Sequence, residues 1–262
     1  MPDDESPILN TADRPVYLIV GASGGIGSHL SRRLSARGAH VILAGRNKGQ
    51  LADLAGELSC SYFITDATDF EQMRECFSSA QAIFGRLDGA ANCVGSLLLR
   101  PAHRTTERDW HQTLQSNLTS AFLTVKYAAE HMAQSGGSVV LVSSCAARIG
   151  LANHEAIAAA KAGVEGLVRS AAATYAKDNI RFNCAAPGLV QTPLTRSLTA
   201  NENQLRMSQD MHPLGKLGTP ADISSIMDWL LSTESAWVTG QCFAVDGGMS
   251  TVRVMRSPRP AN

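Results

Sequence analysis

The sequence lacks net charge, paired cysteines and any long apolar run, and each absence removes a class of function. Twenty-three basic residues balance twenty-three acidic ones. No global field therefore draws the chain to nucleic acid or to an anionic membrane. The six cysteines, at 60, 76, 93, 145, 184 and 242, form no CxxC pair and share no metal-ligand spacing with histidine. Neither a metal site nor a disulfide framework is expected, and they read as reduced, buried thiols of a cytoplasmic protein. No run of eighteen apolar residues exists, so no membrane span is expected. The opening segment, MPDDESPILNTADRP, has neither a basic nor an apolar stretch, so no signal peptide is expected. Internal repeats and composition breaks are also missing. The expected organisation is a flexible tail over 1–14, one domain over 15–252 and a basic flexible tail over 253–262.

What is present is an alternation. Short apolar runs rich in β-branched residues predict strands at 16–20, 41–44, 61–64, 87–91, 138–142, 180–184 and 242–245. Helical spacing predicts helices over 25–37, 48–58, 69–84, 153–177 and 221–231, and one long or two stepped helices over 107–134. Strand–helix alternation of this kind predicts an α/β fold, a doubly wound parallel sheet of Rossmann type.

After the first predicted strand comes VGASGGIGSHL, with Gly21, Gly25 and Gly27 spaced G-x-x-x-G-x-G. Glycine is required where a turn is tight and where backbone must approach a pyrophosphate, and the following helix N-terminus favours that anion. The second strand ends at Gly45-Arg46, and no acidic residue occurs from 41 to 52. An acid there would bind a ribose 2′-hydroxyl, whereas the Arg46 guanidinium suits a 2′-phosphate. NADP(H) is therefore expected rather than NAD(H), unless Arg46 is only a solvated loop charge.

Taken in order, these and later motifs resemble the short-chain dehydrogenase/reductase family over residues 15–250. Gly21-Ala-Ser-Gly-Gly-Ile-Gly27 is similar to the family's cofactor fingerprint, with Val20 where threonine is usual. The resemblance implies cofactor contacts at Gly21, Ser23, Gly25, Ile26 and Gly27, and at Asp66 of ITDATD near the adenine. It implies further contacts at Asn92 and Gly95 of Asn-Cys-Val-Gly, and at Pro187, Gly188, Val190 and Thr192 of Pro-Gly-Leu-Val-Gln-Thr. Val245-Asp-Gly-Gly248 is similar to the family's last strand and turn. It assigns catalytic roles to Asn117, Ser144 and Lys161, the lysine also holding the nicotinamide ribose. It implies dimers or tetramers built through the helices at 107–134 and 153–177.

One family residue is missing. The tyrosine that exchanges a proton with the substrate oxygen stands four before the lysine, and here that position is Ile157. Loss of a general acid costs about 10²–10⁴ in rate. His154, seven before Lys161, resembles the placement of the acid in the family's enoyl-thioester reductase branch. It is either that acid or a polar residue at a helix start beside Asn153, a candidate N-cap. Tyr175 lies about 21 Å along the helix from Lys161 and is expected only to pack. Residues 189–217, with Leu194, Leu198, Leu205, Met207, Met211 and Leu214, form either a wall of an apolar pocket or an amphipathic helix packed on the core. Arg148, Arg196, Arg206 and Lys216 are too dispersed to mark a phosphate-rich or acyl-carrier substrate. The expected function is an NADP(H)-dependent oxidoreductase acting on a small carbonyl, alcohol or conjugated enoyl compound with an altered proton donor. The alternatives are a non-catalytic NADP(H)-binding protein, as a sensor or silent subunit, and a non-redox lyase or isomerase.

Overall fold

A computed structural model describes residues 14–253. The expected tails, apart from Arg14 and Arg253, lie outside the described residues. Seven strands, all parallel, form one sheet in the order β3-β2-β1-β4-β5-β6-β7. They are β1 (Val16–Val20), β2 (His40–Gly45), β3 (Ser61–Ile64), β4 (Gly89–Asn92), β5 (Gly137–Val142), β6 (Ile180–Pro187) and β7 (Cys242–Val245). The order reverses between β1 and β4, and the crevice at their carboxyl ends is where ligands bind in such sheets.

Alternate residues of each central strand supply opposite faces of the sheet. Leu18 of β1 joins Phe77, Leu123, Val164 and Phe182 in one core layer. This layer is covered by α3 (Phe70–Phe84), α5 (Ser120–Met132) and α6 (Glu155–Tyr175). Ile19 joins Leu30, Leu43, Leu54 and Ile223 in the other layer. That one lies under α1 (Gly25–Ala36), α2 (Lys48–Leu58) and α8 (Pro220–Leu231). With both faces covered, the central strands read as continuous apolar runs. The 107–134 segment is two helices, α4 (Glu107–Leu114) and α5, joined by a wide π-type turn over Gln115–Thr119. Helix α7 (Glu202–Asp210), after β6, buries none of its residues. The alternative of a helix packed on the core therefore fails for this segment. Among the described residues no helix is long and apolar enough to cross a membrane.

Element boundaries differ where local chemistry overrides periodicity. Strand β4 begins at Gly89, two residues later than expected, because Asp88 is engaged by the Val16 backbone N–H and by Arg86. Strand β6 continues to Pro187, since β7 pairs with it from Cys184 onward. Helix α6 starts at Glu155. Asn153 takes a left-handed backbone, φ 64°, and the capping position passes to His154, whose side chain makes no cap bond. Asn153 is thus not the N-cap. Tyr175 packs as expected, its ring 5.6 Å from that of Phe182.

Candidate active site

The glycine turn follows β1. Gly21 has φ +80°, and a Cβ there would lie 2.9 Å from Val94, so the turn is closed to side chains against the loop after β4. At Gly27 a Cβ would come within 2.3 Å of the Gly21 carbonyl oxygen. The turn is held to β2 by Gly21 and Ala22 N–H groups, both donating to the Ala44 carbonyl. It leaves the N-terminus of α1 open, with no side chain capping it. Free N–H groups behind a glycine-rich turn are what a pyrophosphate requires, so these residues fit a dinucleotide. Around the turn, Ser23 approaches Gly45 at the end of β2. Asp66 ends β3's loop close enough to Arg46 to feel its charge. Burial pushes the Asp66 carboxyl up, but the Thr68 N–H and hydroxyl and the Arg46 charge together hold it below its ordinary value.

Asn92 sits at the end of β4. Its side chain donates to the Thr124 hydroxyl and accepts from the Val94 N–H, which fixes the loop that carries Gly95 and Ser96. The wide turn between α4 and α5 delivers Asn117 to the same loop. Turns of this kind are rare and concentrate at functional sites. The Asn117 carboxamide accepts from the Ser96 N–H at 3.2 Å and donates to the Ser96 hydroxyl and the Thr113 carbonyl, both at 3.0 Å. Ser144 follows β5. Its Oγ accepts from the Ala146 N–H, and its hydroxyl also interacts with the neighbouring Cys145 sulfur, so its proton can turn from that weak acceptor to a substrate oxygen.

Lys161 reaches in from α6 and is only 6% exposed. Its ammonium donates to the Val142 carbonyl at 2.7 Å. Burial pulls its pKa from 10.5 to about 8, against the opposing pull of the Cys184 and Cys93 thiols. One turn earlier on the same helix, Ile157 is buried, 4% exposed. His154 stands at the helix entrance, its Nδ1 2.8 Å from the Ala152 carbonyl. A ring that donates there presents a bare Nε2 when neutral, so it donates elsewhere only as the imidazolium.

One cavity of about 430 Å³ gathers Gly95, Asn117, Ser144, His154, Ile157 and Lys161. Ile26, Pro187, Gly188, Val190 and Thr192 line it as well. Thr192 touches Gly25, where a Cβ would lie 2.9 Å from its methyl group, so the glycine turn and the loop after β6 meet directly. Gly21, Ser23, Gly25, Gly27, Arg46, Asp66 and Asn92 do not line the cavity. They lie along the crevice beside it or behind its wall. Among the described residues no group of three or more His, Cys, Asp or Glu could hold a metal ion.

Sequence reading did not single out His212 and Glu165. His212 is 2% exposed, and its Nδ1 donates to the Ser208 carbonyl while Nε2 accepts from the Leu189 N–H. It thereby ties the segment after α7 to the Pro187-Gly188 loop. Glu165 accepts from Ser143, Arg148 and Cys242 beneath the lysine. Neither residue carries a local sequence signal, because each finds its partners only through tertiary packing.

The ordered motifs have counterparts in known proteins. A family profile described as enoyl-(acyl carrier protein) reductase matches residues 21–250. A cis-4-hydroxycyclohexanecarboxylate dehydrogenase from Sinomonas cyclohexanicum is 35% identical, the match covering 90% of this chain and 97% of that one. A 3-oxoacyl-(acyl-carrier-protein) reductase from Thermotoga maritima is 32% identical over 89% of this chain and 97% of that one. The solved structure of a short-chain type dehydrogenase/reductase from Mycobacterium ulcerans superposes with a TM-score of 0.88 at 31% identity, covering 92% of this chain and 91% of that one. With the strand order, the glycine-rich turn and the Asn117–Ser144–Lys161 cavity, these matches establish that the chain belongs to the short-chain dehydrogenase/reductase family, whose members bind nicotinamide dinucleotides.

Proposed function

We propose that the protein is an NADP(H)-dependent oxidoreductase that interconverts a small carbonyl and alcohol, or reduces a conjugated enoyl compound, with a proton donor other than tyrosine. The observation that carries this reading is the convergence of Asn117, Ser144 and Lys161 on one cavity beside the glycine turn. Gly21 to Gly27 and the α1 N-terminus would hold the pyrophosphate, Asp66 and Asn92 the adenine side, and Lys161 with residues 187–192 the nicotinamide side. The dinucleotide supplies or takes up the hydride. Ser144 offers its hydroxyl proton to the substrate oxygen. Lys161 holds a positive charge at the cavity floor, which stabilises negative charge developing on that oxygen. Asn117 fixes the loop that closes the floor. Ile157, where the family tyrosine is expected, has no proton to give. The donor on this reading is His154 as its imidazolium, or solvent admitted beside it.

Arg46 supports the preference for the 2′-phosphorylated dinucleotide, since it ends β2 beside Asp66 with no acid before it on the loop. The ring alcohol in the Sinomonas relative's name favours cyclic alcohols and ketones as substrates. Self-association through α4, α5 and α6, as a dimer or tetramer, belongs to the same reading. Phe122 on α5 and Trp110 on α4 stand in solvent and fit a second copy. A cytoplasmic location accords with six free thiols.

A non-catalytic dinucleotide-binding protein is the second reading, and Ile157 is the observation that favours it. NADPH oxidation by the wild type and by Ile157→Tyr, on a panel of cyclic ketones and enoyl thioesters, separates the two. Turnover by the wild type, lost in His154→Gln, supports the altered donor. Turnover by the tyrosine variant alone favours the binder.

A further inference from the structure

Polar and apolar groups are segregated in this cavity. The groups free to meet a substrate oxygen, above all the Ser144 hydroxyl and the Lys161 ammonium, cluster at its floor. Several other polar atoms on its wall are spent, while the Gln204 carboxamide and the Ser208 hydroxyl leave two small uncharged polar groups on the covering side. His212 uses both ring nitrogens, on Ser208 and Leu189. The Thr195 hydroxyl is bound to the Val190 carbonyl, and that of Ser143 to Glu165 and the Lys161 carbonyl. The remaining wall is aliphatic and thioether: Leu194, Leu198, Met207 and Met211 from the segment after β6, Met249 after β7, and Ile157 from α6.

Charge is equally sparse. Among the described residues lining the cavity there is no arginine, aspartate or glutamate, and Lys161 at the floor is the one lysine. Arg196 and Arg206 belong to the same covering segment yet are not among the lining residues. A carboxylate placed away from the floor would therefore meet no cation to offset the water it loses, a cost to binding. A hydrocarbon surface placed there meets side chains of its own kind, and unbranched methionines adapt to its shape.

We propose that the substrate is uncharged: a largely hydrocarbon skeleton, aliphatic or alicyclic, bearing the oxygen that reacts. This rests on the oxidoreductase reading of the same site and narrows it from small carbonyl compounds to those without a charged group. It excludes keto acids and phosphorylated compounds.

The test compares 4-methylcyclohexanone with 4-oxocyclohexanecarboxylate, which differ by a methyl against a carboxylate. Binding of each to the NADP⁺-saturated protein is measured by calorimetry at pH 8, and turnover is measured in parallel with NADPH. The methyl ketone is expected to bind on the order of 100-fold more tightly than the keto acid, or better, given the cost of an unpaired buried carboxylate. Met207→Arg is expected to narrow that ratio at least tenfold by giving the carboxylate a partner. Equal or tighter binding of the acid, or binding of neither compound, overturns the proposal. If the acid binds tightly to the wild type and not to His154→Gln, the proposal also fails, and His154 is an anion partner. If the methyl ketone binds selectively and no NADPH is consumed, the substrate class stands and the oxidoreductase reading falls.

Discussion

Lys161 costs the folded chain stability, and the cost can be read from its surroundings. Its pKa falls from 10.5 to about 8 because burial disfavours the ammonium. At about 1.4 kcal/mol for each tenfold change in proton affinity, that fall corresponds to about 3 kcal/mol of destabilisation when the lysine is charged. Methionine has nearly the same length and carries no charge. Lys161→Met would remove the penalty and leave the Val142 carbonyl without its donor, a loss of about 1 kcal/mol. The variant is therefore expected to be more stable than the wild type by about 2 kcal/mol at pH 7, a rise in Tm of about 4–8 °C for a chain of this size. Between pH 8 and pH 10.5 the unfolded lysine holds a proton that the folded one has lost, so wild-type stability rises with pH across that window. The advantage of the variant should shrink over the same window and reverse at its upper end to a deficit of about 1 kcal/mol, because the neutral amine still donates to Val142. Thiols and tyrosines remote from Lys161 are common to both proteins and cancel in the difference, whereas Cys93 and Cys184 beside it add a smaller change of their own. The assay is thermal unfolding of both proteins at one scan rate from pH 7 to pH 10.5, with NADPH oxidation alongside. A variant less stable than the wild type at pH 7, or a difference that does not change with pH, would refute the argument. On the proposed function the more stable variant should also be the inactive one, a site residue kept at the expense of the fold.

Gly27→Ala drives a methyl group to within 2.3 Å of the Gly21 carbonyl. It should abolish NADPH binding in a fluorescence titration, and unchanged affinity would show that the turn yields. Arg46→Asp should weaken NADPH binding at least tenfold while leaving NADH binding equal or better; an equal loss for both would make Arg46 a general phosphate contact. Asp228, 2% exposed, accepts from Arg33 at 2.7 Å and from Arg37 at 2.9 Å, clamping α1 to α8. Both arginines are half-exposed and rehydrate when released, so Asp228→Ala should cost about 2 kcal/mol, or about 4–8 °C in Tm. A melt within a degree of wild type would count against the clamp.

The sheet was legible in the sequence because both of its faces are covered. Residues such as Val16–Val20 must then be apolar at every position, and a short unbroken run next to glycine has few other readings. The glycine turn was legible for a related reason, since Gly21 takes a left-handed backbone and Gly27 is demanded by its close approach to Gly21 and Ala22 a few residues away. What could not be read depends on distant parts of the chain. The start of α6 moved from Asn153 to Glu155 because Asn153 takes a left-handed conformation, its carbonyl bound by the Arg100 N–H some fifty residues upstream. His212 has no neighbouring signal, since its two partners, Ser208 and Leu189, meet it only after the segment beyond β6 folds back.

Ile157 belongs to both categories. Its identity is plain in the sequence, but its meaning depends on where its side chain goes. An isoleucine turned to solvent would leave room at the cavity floor for water or for another side chain to act as donor. Here Ile157 is buried and lines the cavity that Lys161 and Ser144 also line. It therefore adds apolar wall beside the polar floor, and the same substitution that removes a proton donor makes the cavity drier. A drier cavity strengthens the Lys161 charge and the Ser144 hydrogen bond acting on a developing oxyanion. It also raises the cost of any second charged group on the substrate. On the proposed function, the altered donor and the uncharged substrate would be two consequences of one side chain. Ile157→Tyr should act on both, raising turnover and relaxing the discrimination against 4-oxocyclohexanecarboxylate. A gain in turnover with discrimination unchanged would separate the two and place the selectivity in the methionine-rich wall alone.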